Sequence, residues 1–181
     1  LLELGNRYHR IKQLPRAKQT YEAYLALAEA KNDLSGKGQA FTRLGDLARD
    51  WGKAKEAIGH YKEALTLAEA HGTKAAQASI LSNLGLAYQE SNDIGRTWLA
   101  LRYAERAIGA AEEARSAKSL AFAHYKLGLL LRRQKKWDKA KNHIEEARQL
   151  FGAIGNMTMM QRSRRMTERL AEERASSGFL S

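Results

Sequence analysis

The sequence predicts an all-α fold built from repeated helix pairs. Three observations carry that reading. Proline occurs once in 181 residues, so almost nothing interrupts a helix. The dipeptide Leu-Gly returns at Leu4-Gly5, Leu44-Gly45, Leu84-Gly85 and Leu127-Gly128, with glycine spacings of 40, 40 and 43. Apolar residues around each copy follow the helical period of about 3.6 residues.

The second copy shows the design most plainly. Phe41, Leu44, Leu47 and Ala48 form one apolar stripe, which defines a first helix. Trp51-Gly52-Lys53 supplies a turn. Ala54, Ala57, Ile58, Tyr61, Ala64, Leu65 and Ala68 define a second helix, which ends at His71-Gly72 with glycine as its C-cap. Pro15 sits where the second helix of copy one begins, a position proline tolerates. Asn32-Asp33 and Ser91-Asn92-Asp93 mark further turns.

The other offsets repeat in register. Ala17, Ala57, Ala100 and Ala140 correspond, as do Tyr21, Tyr61, Ala104 and Ile144. Tyr24, Ala64, Ala107 and Ala147 form a third set, with Tyr24 bulky where the others are alanine. Copy three carries three extra residues between Gly85 and Ala100, and Trp98 beside them is read as a core plug in preference to an exposed contact. The units are then residues 1–33, expected to be truncated at its start, 34–73, 74–116 and 117–154. Residues 155–175 follow as a capping helix, whose apolar face is Met159, Met166 and Leu170. Residues 176–181 form a tail expected to fray.

This register resembles the tetratricopeptide repeat family. The resemblance implies a right-handed superhelical solenoid of stacked antiparallel helix pairs, four repeats plus the cap. The 40-residue period is similar to that of Pins-type adaptors, of some ciliary and trafficking proteins and of bacterial signalling regulators, without choosing among them. A mid-helix glycine costs about 1 kcal/mol against alanine. The expectation is that Gly45 offsets this by letting its own second helix cross closely, with Ala57 as the matching small surface and Ala64 leaving room for the next repeat.

Little in the sequence suggests catalysis. Cysteine is absent, which removes disulfides and thiolate chemistry and fits a reducing, cytoplasmic setting, a ciliary or cytoskeletal assembly included. No apolar run reaches the length of a membrane span. His9, His60, His71, His124 and His143 show no metal-ligand spacing, and His124 is read as a packed core residue. Leu34-Ser35-Gly36-Lys37-Gly38 lacks the spacing of a phosphate loop and is read as an inter-repeat turn. Glu112-Glu113 and Glu145-Glu146 are adjacent on helices, so their carboxylates diverge. No enzyme activity, cofactor, metal or small-molecule substrate is expected.

Binding is the better-supported role. In the family the first helix of each repeat lines a concave groove. Helical spacing puts the residue before each Leu-Gly on that face, with those three and six positions onward. The candidates are Arg43, Asp46 and Arg49 in copy two, Asn83 and Gln89 in copy three, and Tyr125, Lys126, Leu129 and Arg132 in copy four. Related adaptors place an asparagine where Asn83 stands, and the resemblance implies a grip on peptide backbone. Arginine grips carboxylates in bidentate fashion. Tyr125, Leu129 and Leu86 are the candidate apolar anchor.

Net charge is +11, and residues 121–181 hold 13 of the 31 basic side chains but 6 of the 20 acidic ones. The expected partner is therefore an acidic peptide, extended or briefly helical, within a larger assembly. An effector-sensing regulatory domain is the alternative. Nucleic-acid binding through the basic C-terminal third ranks below both, because acidic residues are interspersed and no RNA-binding motif is present.

Overall fold

The computed structural model describes residues 1–91 and 97–178. The described residues contain nine helices and no strand. They are α1 (Leu2–Arg10), α2 (Leu14–Ala30), α3 (Leu34–Asp50), α4 (Ala54–His71), α5 (Lys74–Glu90), α6 (Thr97–Glu113), α7 (Ala117–Arg133), α8 (Trp137–Ala153) and α9 (Met157–Gly178). Each helix packs on the next, and α5 also touches α3 and α7. The result is an all-α repeat solenoid.

Most connections use one three-residue device. The middle residue adopts a left-handed conformation: Lys12 (φ 61°), Asn32 (φ 52°), Gly52 (φ 76°), Arg115 (φ 49°), Lys135 (φ 56°) and Gly155 (φ 72°). The next amide then reaches back to close the helix end, as Lys53 N does to Ala48 O at 2.8 Å and Asn156 N to Phe151 O at 2.8 Å. Asp33, Thr73 and Ser116 cap the following helices through their side chains. The run Leu34–Gly38 is the first turn of α3, so the expected turn there is corrected: the chain reverses at 31–33, where Asp33 takes the amide of Gly36.

The mid-helix glycines are explained by what faces them. A Cβ at Gly45 would lie 2.6 Å from the Tyr61 ring, and one at Gly5 would lie 2.4 Å from the Tyr21 ring. At Gly128 the neighbour is Ile144, at 2.6 Å. The partner of Gly45 is thus Tyr61 and not Ala57, because the Cδ1–Cε1 edge of that ring occupies the space the missing side chain leaves. At Gly85 the corresponding residue is the small Ala104, and the helices close further, leaving the Ala100 carbonyl oxygen 2.8 Å from such a Cβ. In both solutions glycine buys contact that a larger side chain would forbid.

The main core runs from Ala48 to Leu170, and a smaller one holds Ala17, Tyr21, Leu44 and Leu47. Met159 and Met166 pack on the main core, so α9 closes the end of the stack. That helix continues through Ser176 to Gly178, into the segment expected to be a frayed tail. Trp98 is 56% exposed, with the Arg102 guanidinium 6.0 Å from its ring, and so is not a core plug. Alanines 100, 104 and 107 already fill the buried face of α6. Most of the three-residue insertion, and the Asn92-Asp93 turn, lie outside the described residues.

Candidate peptide groove

The Leu-Gly pairs turn inward to pack α3 on α4, α5 on α6 and α7 on α8, which leaves the preceding residues on a shared outer face of the first helices. There they meet one another across repeats. Tyr61 of α4 donates its hydroxyl to Asp46 Oδ1 at 2.7 Å. Asn83 Nδ2 donates to the same oxygen at 3.0 Å. Lys126 Nζ donates to Asn83 Oδ1 at 2.6 Å. Arg43 approaches the other oxygen of Asp46 at 3.3 Å. One polar chain therefore joins α4, α3, α5 and α7.

Burial governs its electrostatics. Desolvation pushes the Lys126 ammonium down to about 8, against the pull of the Asp46 charge. Tyr61 is raised, first by burial and then by Asp46. Asn83 is buried and Lys126 half-buried, while the Arg43 side chain is 44% exposed. Arg43 is thus the member of the chain most open to a partner.

A second rung lies one turn onward. Gln89 Nε2 donates to the Leu130 carbonyl at 3.1 Å, and its Oε1 is buried without a partner. Arg49 stands 3.8 Å from Asp50 and 3.9 Å from Glu90. Burial raises Glu90, with Arg49 and Arg133 opposing. Burial also works to raise Asp50, but hydrogen bonds from Lys12 and His9 hold its carboxyl below the ordinary range.

The fourth copy differs from expectation. Tyr125 is 5% exposed, its ring packs near Phe151, and its hydroxyl is buried without a partner, so it belongs to the core and not to an exposed anchor. Leu129 and Leu86 are half-buried against the same core. Arg132 is engaged by the cap: its Nε donates to Glu173 Oε2 at 2.8 Å and its Nη2 to the other oxygen. Glu173 also receives Arg169 at 2.9 Å.

A hollow of about 400 Å³ opens between α3 and α5, floored by Ala64, Leu67 and Ala68 of α4. Arg43, Asp46 and Asn83 line one part of it; Gln39, Thr42, Ala76 and Ser79 line the rest. Sequence reasoning missed these last four because it stepped only toward the C-terminus from each Leu-Gly. One helical turn back from Arg43 and Asn83 are Gln39 and Ser79, so the same periodicity, run backwards, finds them.

A separate cluster joins α7 to α8. His124 Nδ1 lies 3.0 Å from His143 Nδ1 and 3.3 Å from Glu146 Oε2. Burial lowers the pKa of both imidazoles; Glu146 and Glu112 oppose it at His124. The expected packing of His124 in the core is right, at 7% exposure. The expectation that no histidines pair is corrected: 19 residues separate them in sequence, and the helix hairpin brings them together.

An all-helical solenoid with a polar groove defines the class of helical repeat proteins, whose stacked units present extended binding surfaces. Residues 38–71 and 121–153 each match the tetratricopeptide repeat, so the chain carries repeats of that kind. No curated relative matches the sequence. Among solved structures, BtubC (BKLC) from P. vanneervenii is 17% identical with a TM-score of 0.67, over 94% of this chain and 78% of that one. A Signal Transduction ATPase with Numerous Domains from Pyrococcus horikoshii, with a tetratricopeptide repeat sensor, is 16% identical with a TM-score of 0.74. The apo form of RapI is 14% identical with a TM-score of 0.75. This chain is covered to 95% and 97% by these two, and spans 28% and 48% of their lengths. At such identities the likeness is one of fold.

Proposed function

We propose that the chain binds an extended, acidic peptide segment along the face formed by α3, α5 and α7. The observation that carries this reading is the hollow of about 400 Å³ with Arg43 at its edge and Asn83 in its wall. A peptide carboxylate pairs with the exposed Arg43 guanidinium, and an apolar side chain enters the hollow over Leu67 and Ala68. Asp46 and Lys126 hold the Asn83 amide in one orientation, so no rotamer freedom is lost when a partner arrives. The hollow replaces Tyr125, Leu129 and Leu86 as the apolar anchor. A single exposed ion pair contributes under about 1 kcal/mol, so affinity rests on the hollow and the pair together.

The test is selection from a displayed library of random peptides, followed by titration against two variants that melt as the parent does. Arg43→Glu reverses the edge charge, and Ser79→Trp fills the hollow. Enriched acidic residues beside one apolar residue, with binding lost in both variants, support the reading. Selected peptides no more acidic than the library, or bound equally by both variants, overturn it.

A further inference from the structure

We infer that His124, His143 and Glu146 form a binding site for a divalent transition-metal ion of the Zn²⁺ type, which staples α7 to α8. His143 and Glu146 are three positions apart on α8 and so share a face, and His124 of α7 meets them from the adjoining helix. His124 Nδ1 is 3.0 Å from His143 Nδ1 and 3.3 Å from Glu146 Oε2, and the three ligand atoms all lie within 4.8 Å of one another. Donor atoms bound to one Zn²⁺ at about 2.0–2.2 Å stand roughly 3–3.5 Å apart, so small rotamer changes close the set.

The donor chemistry selects the ion. Two imidazole nitrogens and one carboxylate suit Zn²⁺ and its first-row neighbours, whereas Mg²⁺ and Ca²⁺ take oxygen. Glu146 has a 58% exposed side chain, which opens a path from solvent and leaves room for a water as fourth ligand. The negative charges of Glu105 and Glu112 on α6 act on the same two imidazoles and add to that of Glu146, favouring a bound dication. Without metal, one ring donates an N–H to the other. The ion takes the place of that proton, which moves to the Nε2 of the same ring, so only those small rotamer changes separate the pair from a complete site.

The contrast within the chain is informative. His9 meets Asp50 at 3.1 Å and His60 meets Glu56 at 3.8 Å, but each offers a single imidazole. These pairs provide the control.

The experiment uses the untagged chain, stripped with EDTA and dialysed, then titrated with Zn²⁺ by calorimetry and with Co²⁺ by visible absorption. The expected result is a single saturable site, with a Tm that rises with metal concentration. Glu146→Gln, exposed and harmless to folding, and His143→Asn should each weaken binding by about 10-fold to 100-fold. His60→Ala should leave it unchanged. Absence of saturable binding would show a hydrogen-bonded histidine pair only and overturn the site. So would binding that both variants retain in full, or that His60→Ala removes.

Discussion

Lys126 Nζ donates to Asn83 Oδ1 at 2.6 Å, so an ammonium of the fourth helix pair is held by an amide of the third. Asn83 spends its own donor on Asp46 of the second pair at 3.0 Å. Three repeats are thus coupled through uncharged and charged groups in alternation. Burial depresses the Lys126 pKa from 10.5 to about 8, which makes stability depend on pH in a stated direction. Below pH 8 the folded and unfolded chains both carry the proton. Between about 8 and 10.5 the unfolded chain keeps a proton that the folded chain has released. Stability therefore rises with pH across that window, by at most roughly 3 kcal/mol. Urea midpoints against pH should show a rise that Lys126→Met abolishes.

Lys126→Glu should also unfold more easily at neutral pH. On the sequence alone this residue looks like a groove charge whose reversal spares the fold. In the structure a glutamate there would face the Asn83 carbonyl oxygen as a second acceptor, and would add a half-buried negative charge near that of Asp46. A loss of about 3 kcal/mol is expected. Denaturant titration of parent and variant decides it; equal midpoints would mean that the side chain escapes to solvent.

The glycines of α3 and α4 should respond with opposite signs. Gly45→Ala would drive a Cβ to 2.6 Å from the Tyr61 ring and should cost about 1–3 kcal/mol. Gly59→Ala meets nothing within 4 Å and should stabilise by about 0.5–1 kcal/mol. Melting temperatures of the two single variants give the comparison directly.

The left-handed turns make a further prediction. Gly52 and Lys135 hold equivalent positions, with φ of 76° and 56°. Gly52→Lys should destabilise by about 1 kcal/mol, since a side chain is disfavoured in that region. Lys135→Gly should relieve the same strain, offset in part by greater freedom of the unfolded chain. If both variants shift the melting temperature in one direction, the two turns are not equivalent.

Much of this architecture is legible in one dimension. The Leu-Gly register locates the first helices, because the side chains that pack a helix pair recur with the helix period and need no distant information. The same register places Arg43, Asp46, Asn83 and Lys126 on one face. What those residues do there was not legible. Arg43 stays at the surface, while Asn83 and Lys126 are drawn inward and bonded to one another, an outcome set by how far apart α3, α5 and α7 stand. Trp98 illustrates the same limit: its sequence neighbours announce a bulky residue near a core, and the small alanines of α6 leave that core already full.

Helix positions and the shared polar face are legible in the sequence because each follows from a periodicity within about two helical turns, and the repeat is legible because the Leu-Gly pair returns every 40 to 43 residues. Tertiary structure alone decided that Tyr61 fills the space at Gly45, that Lys126 surrenders its solvent to reach Asn83, and that His124 finds His143. Each of these depends on the separation of two helix axes, a distance that the sum of many small packing choices sets and that no single helix carries.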